Sequence, residues 1–274
     1  MPESRLTDLE GLVGVITNGV TLAVPKDNSG VAMAATRVLA RRGIRGLHLI
    51  CVPTSGLQAE VLIGAGAVQT IETSAVTLGE FGPAPRFVEA LREGSLRILD
   101  STCPAVYAAL QAGQKGLPFI PLRGLLGTDV LANRTDWKVI DNPFNPGDSI
   151  ALLPAIRPDV ALFHAKLADR YGNVFIGRER EVLLMSQAAR QTLVTVEEII
   201  EENLLEDEDR AGAVLPAIYV TRIAVAKNGA WPLGLLDRYP TDETALARYV
   251  SMAKTREGFA RFIADWPDQQ RAAA

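Results

Sequence analysis

The chain of 274 residues has few of the residues that build metal sites and disulfide frameworks. It contains two cysteines, Cys51 and Cys103, and two histidines, His48 and His164, each pair far apart in sequence. Neither pair has the close spacing of zinc ligands, and two cysteines do not make a disulfide framework. We therefore expect reduced thiols and no metal site.

Long apolar runs and basic clusters are also missing. No apolar run reaches the roughly 18 residues of a membrane helix, and the opening MPESRLTDLEG lacks the basic and apolar regions of a signal peptide. Lysine and arginine number 28 against 32 acidic residues, and no basic stretch is interleaved with aromatic residues. These absences predict a cytoplasmic protein that binds neither a membrane nor nucleic acid.

The common catalytic and phosphate-binding motifs are absent as well. The sequence has no G-x-S-x-G elbow, no complete P-loop and no G-x-G-x-x-G. Cys103 stands before Pro104 at the expected start of a helix, where packing is a more common role than reactivity. His164 lies in an apolar run, and both a core histidine and a catalytic one fit that position.

What the sequence does contain is a regular alternation of strand and helix patterns, with 48% apolar residues. Strands are predicted over residues 20–24, 47–52, 68–72, 96–99, 119–121, 150–153, 160–167, 174–176, 192–196 and 217–226. Helices are predicted over residues 32–42, 57–63, 85–92, 102–116, 179–190, 196–203, 241–253 and 256–266. Alternation of this kind predicts an α/β fold, an open and mostly parallel sheet with helices on both faces.

We expect residues 1–274 to form one domain, with an N-terminal extension at 1–14 and a loosely ordered tail at 268–274. Residues 122–149 have weak periodicity and are predicted to be a long, functional connection. The acidic run 197–209 is predicted to be a solvated helix end and loop. Thr195 and Glu198 have capping-box spacing for the helix predicted over 196–203.

The stretch TNGVTLAVPKDNSGVAMA, residues 17–34, places a loop after the first predicted strand. Ligands of parallel sheets sit beyond the carboxyl ends of strands, and backbone amides at a helix N-terminus bind anions. The amides of Asn28, Ser29 and Gly30 are therefore candidates for an anion site. The alternative is a plain capping loop in which Asn28 or Ser29 caps the next helix.

Several stretches together resemble the A (alpha) subunit of family I coenzyme A transferases, nearest to the glutaconate CoA-transferase type. They are TNGVTLAVPKDNSGVA (17–32), LIGAGAVQTIETS (62–74), GLPFIPLRGLLGTDV (116–130), LLPAIRPDVALFHAKLADRYGNVFIG (152–177) and NGAWPLGLLDRYPTDETALARYV (228–250). In the first stretch Asn18-Gly19 and Gly30 match the family signature in register. Pro25-Lys26-Asp27 stands where the signature has Gly-Gly-Phe.

The resemblance implies a CoA-transferase-like fold, of the kind also found in sugar-phosphate isomerases, and a mechanism. A glutamate attacks an acyl-CoA thioester, and a glutamyl-CoA intermediate passes CoA to a carboxylic acid. That glutamate belongs to the B (beta) subunit in a Ser-Glu-Asn-Gly type motif, and this chain has no Glu-Asn-Gly; Glu202-Asn203-Leu204 comes nearest. We therefore expect no catalytic residue in this chain, a hetero-oligomer with a B subunit, a CoA thioester as substrate and no permanently bound cofactor.

The resemblance also places the substrate over the 25–30 loop. The residues expected to bind substrate or CoA are Lys26, Asn28, Ser29, Gly30, Ser55, Gly56 and Arg123. Ser55 and Gly56 follow the second strand and so face the same sheet edge, and Arg123 could hold a carboxylate through two parallel bonds. Asp169, Gly172 and Asn173 are expected to be structural residues near the site, in a turn between two strands.

Two other functions fit the same sequence. A CoA-thioester-dependent hydrolase or ring-opening enzyme, of the type that acts on a steroid fragment, would use water in place of the acceptor acid. Glu80 or Asp100 would then assist. A non-enzymatic metabolite-binding module is the third possibility, and it rests on analogy of fold alone.

Overall fold

The computed structural model describes residues 5–266; residues 1–4 of the expected extension and the expected tail at 268–274 lie outside them. The helices are α1 (Leu9–Val13), α2 (Met33–Arg41), α3 (Leu57–Gly64), α4 (Pro85–Arg92), α5 (Cys103–Gln114), α6 (Asp129–Asn133), α7 (Arg180–Ala188), α8 (Glu243–Met252) and α9 (Arg256–Asp265). The strands are β1 (Thr21–Pro25), β2 (Leu47–Val52), β3 (Val68–Thr73), β4 (Arg97–Asp100), β5 (Phe119–Leu122), β6 (Lys138–Asp141), β7 (Ser149–Pro154), β8 (Val160–Asp169), β9 (Val174–Phe175), β10 (Gln191–Ile200), β11 (Val214–Leu215) and β12 (Arg222–Val225).

Nine strands form a large sheet, seven of them in the order β12-β10-β8-β1-β2-β3-β4, and every pair along this path is parallel. β8 is long, so it pairs with β1 through Val160 and Ala161 and with the antiparallel β9 through Leu167 and Ala168. β11 continues the sheet beside β9. The expected open, mostly parallel sheet is confirmed, and the stretch of β8 between β1 and β9 is left for a loop to occupy.

Helices cover both faces of this sheet, as expected. Along β1, Leu22 and Val24 pack into a core shared with α1 and α2. Ala23 faces the other way and packs against α5 and α7, where Met185 is fully buried. A strand that alternates between two apolar cores must be apolar on both faces, which is why β1 and β2 are nearly continuous hydrophobic runs.

The long connection predicted over 122–149 has secondary structure of its own, which its weak periodicity did not indicate. It contains α6, capped by the Thr128 hydroxyl, and β6, which pairs with β7. Together with β5 these strands form a separate antiparallel sheet in the order β5-β7-β6. Trp137 and Leu153 are buried beneath it, so short apolar segments in a turn-rich sequence were enough to form a second layer.

The helix predicted over 196–203 is wrong as well, because β10 runs through to Ile200. Nine residues of β10 pair in register with β8, and that pairing overrides the local capping signal of Thr195 and Glu198. Alternation explains the outcome: Val194 and Val196 enter one core while Thr195 faces the opposite side. Residues 201–209, the rest of the acidic run, lie in turns.

The N-terminal end of the described chain packs against the sheet, and the C-terminal end packs against α2 and α3. At the N-terminal end Leu12 and Val13 of α1 are fully buried, and Leu6 pairs with Ile223 in a single bridge. At the other end α8 and α9 bury an aromatic cluster that contains Tyr249. The strand predicted over 217–226 is shorter than expected, since a 3-10 turn precedes β12. None of the helices among residues 5–266 is long and apolar enough to cross a membrane.

Candidate active site

The 25–30 loop leaves β1 and runs beside the stretch of β8 that neither β1 nor β9 covers. The His164 amide donates to the Gly30 carbonyl oxygen over 2.7 Å. Gly30 has φ +78°, and a Cβ there would lie 2.0 Å from the His164 carbonyl oxygen, so only glycine fits. The helix that follows is capped by Ala32 without a side-chain bond, and the alternative of an Asn28 or Ser29 cap is therefore wrong.

The amides of this loop differ in what they bond. The Ser29 amide closes a turn onto the Lys26 carbonyl oxygen at 3.0 Å, so it is not available to a ligand. The amides of Asn28 and Gly30 have no hydrogen-bond acceptor among residues 5–266. Two of the three amides predicted to bind an anion are thus left with an unused N–H.

Lys26 and Ser29 meet two carboxylates from the start of α7. The Lys26 ammonium lies 2.9 Å from Glu181, and the buried Ser29 hydroxyl lies 2.5 Å from Glu181 and 2.8 Å from Glu179. The hydrogen bond with Glu181 raises the pKa of Lys26, against the opposing effect of burial. Burial raises the pKa of Glu181, but the bonds from Ser29 and Lys26 outweigh it and leave that pKa below its ordinary value. The helix dipole of α7 also favours negative charge here.

Asp27 binds the N-terminus of α3 across the sheet edge. Its carboxylate accepts from the amides of Gly56 and Leu57 at 3.1 and 3.0 Å. Burial raises the pKa of Asp27 to about 6, and the two amide bonds oppose that shift. A Cβ on Gly56 would lie 2.1 Å from the Asp27 carboxylate, so Gly56 lies directly beside the loop. Ser55 is buried next to it and bonds through its backbone to the segment after β3.

A cavity of about 360 Å³ opens beside this loop. Asn28, Ser29 and Gly30 form one wall, and the other walls come from β8, the 175–179 segment, Val182 of α7 and the turn at 235–237. Seven of these residues have apolar side chains, seven have polar or charged ones, and Gly30 and Gly177 have none. Large apolar side chains together with a few converging polar groups are the usual form of a small-molecule site.

Behind the cavity lies a buried polar network that sequence reasoning did not find. The His164 ring contacts Thr195 at 2.9 Å through Nδ1 and Glu197 at 2.8 Å through Nε2. Glu197 also accepts from the Tyr239 hydroxyl at 2.7 Å and from the amides of Asn228 and Gly229. The histidine is therefore a fully bonded residue of the interior, and its backbone holds the 25–30 loop. The alternation of Thr195 and Glu197 along β10 was the signal that could have revealed it.

The turn between β8 and β9 is held by Asp169 and Asn173. Buried Asp169 accepts from three backbone amides, including that of Leu204, and from the Asn173 side chain at 2.7 Å. Asn173 in turn accepts from the Ala217 amide, and Gly172 has φ +93°. The turn anchors the strand that supplies Phe175 to the cavity wall.

Of the residues predicted to bind substrate, only Asn28, Ser29 and Gly30 line the cavity, whereas Lys26 in the same loop and Ser55 and Gly56 next to it do not. Three other predicted residues lie elsewhere. Arg123 is exposed, pairs with Asp148 and lines a separate groove on the small sheet. Glu80 lies in an exposed 3-10 turn, and Asp100 is exposed at the end of β4. The carboxylates that line the cavity are instead Glu179 and Asp237. Among residues 5–266 no group of three or more acidic, histidine or cysteine side chains could hold a metal ion.

Comparison with known proteins gives a consistent result. Residues 8–226 match the coenzyme A transferase family model. The chain is 30% identical over 268 residues to the A subunit of 3-oxoadipate CoA-transferase from Pseudomonas knackmussii, covering 95% of this chain and 92% of that one. It is 28% identical to the IpdA subunit of the cholesterol ring-cleaving hydrolase from Rhodococcus jostii, covering 94% and 90%.

Two solved structures are similar over almost the whole chain. Glutaconate coenzyme A-transferase from Acidaminococcus fermentans superposes with a TM-score of 0.88 at 26% identity, covering 96% of this chain and 88% of that one. A variant of the decarboxylase AibA/AibB gives a TM-score of 0.83 at 32% identity, covering 96% and 98%. This chain belongs to the coenzyme A transferase family and is an A-type subunit of it.

Proposed function

We propose that this chain is the A subunit of a two-chain enzyme that moves CoA from an acyl-CoA to a carboxylic acid. The observation that carries the proposal is the pair of unused amides, those of Asn28 and Gly30, in the loop that forms one wall of the cavity. When a nucleophile attacks a thioester, the carbonyl oxygen gains negative charge. One such N–H donor contributes on the order of 10²–10³ in kcat in other acyl-transfer enzymes.

The nucleophile comes from the partner. The nearest match in this chain, Glu202-Asn203, lies in a turn where Asn203 already bonds Glu206 at 2.8 Å. A glutamate of the B subunit forms a bond to the thioester carbon and displaces the CoA thiolate, leaving a mixed anhydride. The thiolate then attacks the glutamyl carbonyl and releases the acid, and an acceptor carboxylate reverses the two steps. No proton is transferred, so this chain needs to supply only binding and oxyanion donors.

The experiment is to co-express this chain with a B-type subunit, purify the complex and follow CoA exchange between acyl-CoA donors and free acids. Exchange that needs both chains supports the proposal, with each chain alone as the control. A complex that forms but exchanges CoA with no acid among acetate, longer monoacids and dicarboxylates overturns it.

A second candidate is a CoA-thioester-dependent hydrolase or ring-opening enzyme. The observation that favours it is that Lys26 and Asp27, where the family signature has Gly-Phe, direct their charges to Glu181 and α3 within the chain. Water would replace the acceptor acid, and Glu179 at the cavity wall is placed to accept its proton. Release of free CoA or a ring-opened thioester without an acceptor acid, abolished in Glu179→Gln, would favour this candidate over transfer.

A further inference from the structure

The side chains that line the cavity determine which acyl group the cavity accepts, and this inference rests on the proposed function. Facing side chains include Phe163, Phe175, Val182, Leu235 and Leu236, which come from separate parts of the chain. Phe163, Val182 and Leu235 are buried in the cores that surround the cavity, so these walls are preformed. An apolar group that enters such a cavity loses contact with water without disturbing a hydrogen bond.

The charged groups at the cavity are already paired within the chain. Lys166 lies 2.8 Å from Asp237, and Arg178 lies 3.7 Å from Glu179. These four side chains carry two positive and two negative charges, and Glu179 also contacts Ser29. A ligand carboxylate in the interior would face Glu179 or would have to break the Lys166–Asp237 pair. The first outcome places two negative charges side by side, and the second only exchanges one ion pair for another.

We propose that this cavity binds the acyl group of the thioester and selects an uncharged, apolar acyl group over one that ends in a carboxylate. The thioester carbonyl lies at the Asn28 and Gly30 end, and the acyl chain extends between β8 and the 235–237 turn. The selectivity follows from the walls and from the lack of an unpaired cation in the interior among residues 5–266.

The test compares two thioesters of equal length, pentanoyl-CoA and glutaryl-CoA, which differ in one terminal carboxylate. The purified two-chain complex is assayed for CoA exchange into acetate, and equilibrium binding of each thioester is measured by calorimetry in parallel. We expect pentanoyl-CoA to be favoured by about tenfold or more in kcat/KM and in affinity. Equal use of the two thioesters, or a preference for glutaryl-CoA, overturns the proposal.

A variant changes the cavity without disturbing the core. Leu236 is 46% exposed, so Leu236→Lys places a cation in the wall at small cost to stability. We expect it to reduce the preference for pentanoyl-CoA by about tenfold. Leu205→Lys is the matched control, because Leu205 is 45% exposed and lies in a turn away from the cavity. A shift of the same size in both variants would contradict the assignment of the wall.

Arg178 offers one more distinction, because it is 77% exposed and loosely paired. If Arg178 bound a terminal carboxylate, Arg178→Gln would lower the use of glutaryl-CoA alone, and that result overturns the proposal. A proportional change for both thioesters supports it. The binding measurement separates this proposal from the proposed function: a complex that prefers pentanoyl-CoA but exchanges no CoA keeps the cavity assignment and removes the transferase activity.

Discussion

Two regions of the molecule use ion pairs in different ways. At the junction between the two sheets, Arg134 bonds Glu72 at 2.9 Å and Asp136 at 2.8 Å, and its guanidinium lies 4.2 Å from the Trp137 ring centroid. Only 4% of the Arg134 side chain and 7% of the Glu72 side chain are exposed. At the cavity edge, by contrast, Lys26 pairs with Glu181 while 36% of the Lys26 side chain remains exposed.

The difference shows what each region is built for. The planar guanidinium at the junction fixes several partners at once and fills the space between two layers of the fold. Burial raises the pKa of Glu72 above its ordinary value even though Arg134 opposes the shift, so the junction depends on its cation. The ammonium of Lys26 is a single point charge held by Glu181 close to the amides of Asn28 and Gly30, so it contributes more to the charge of the site than to the stability of the fold.

Breaking the junction should have the largest effect. We expect Arg134→Met to lower the free energy of unfolding by about 3–5 kcal/mol, because Glu72 is left charged and buried without its partner. Urea denaturation at pH 7 measures this loss. The double variant Glu72→Gln/Arg134→Met removes both charges and should recover much of the stability. If Arg134→Met lowered the free energy of unfolding no more than Lys26→Met does, the contrast between the two regions would be contradicted.

The next largest effect should come from the backbone at the cavity edge. We expect Gly30→Ala to cost about 3 kcal/mol of stability and most of the activity of the complex, because its Cβ would strike the His164 carbonyl oxygen. Gly94 also has positive φ, at +66°, but open space around it, so Gly94→Ala should cost only about 1 kcal/mol. Equal losses in the two variants would mean that the close approach to β8 is unimportant.

Asp27 should give the cavity edge a pH dependence. Its pKa is about 6 in the folded chain against an ordinary 3.8, so the folded state binds the proton more tightly. This contribution to the free energy of unfolding is complete below about pH 4 and is lost as pH rises through 6, a change of about 3 kcal/mol. Asp27→Asn should flatten the stability curve between pH 4 and 7. Parallel curves for the two proteins would refute the assignment.

The smallest effect is expected at Lys26. Lys26→Met should cost about 1 kcal/mol of stability, since more than a third of the Lys26 side chain is exposed and its charge is screened by water. Lys26→Arg should restore that stability, because it restores the charge beside Glu181. In Lys26→Met the complex should also lose activity, measured as kcat/KM with one thioester. Expressed as a free energy, this loss should exceed the loss in the free energy of unfolding. Equal changes in stability for Lys26→Met and Arg134→Met would remove the distinction between the regions.

The sequence predicted the parts of the fold that depend on local pattern. The bounds of β2 and α4 were predicted to the residue, because an apolar run or a Pro-to-Gly segment marks both ends. The helix expected after Thr195 was wrong, since nine pairs between β10 and β8 outweigh one capping signal. Helix propensity depends on residues only a few positions apart, whereas the pairing between β10 and β8 joins residues as far apart in sequence as Thr195 and His164.

The candidate site also divides into features that follow from local sequence patterns and features that depend on contacts between distant residues. The loop and the glycine at position 30 were found from sequence, because a strand followed by a turn and a helix is a local pattern. Glu179 and Glu181 were missed because they reach Ser29 from 150 and 152 residues further along the chain. Arg123 was expected at the site from its residue type, but it belongs to the small sheet, which the sequence did not distinguish.

The four hydrogen bonds that meet at Glu197 have a consequence for motion. They join β8 through His164, the turn that contains Asn228 and Gly229, and Tyr239 behind the cavity wall. The amide protons of Asn228 and Gly229 are released only when they separate from this carboxylate. Opening of the wall is then a single cooperative event, and hydrogen exchange of these two amides should give the same free energy of opening.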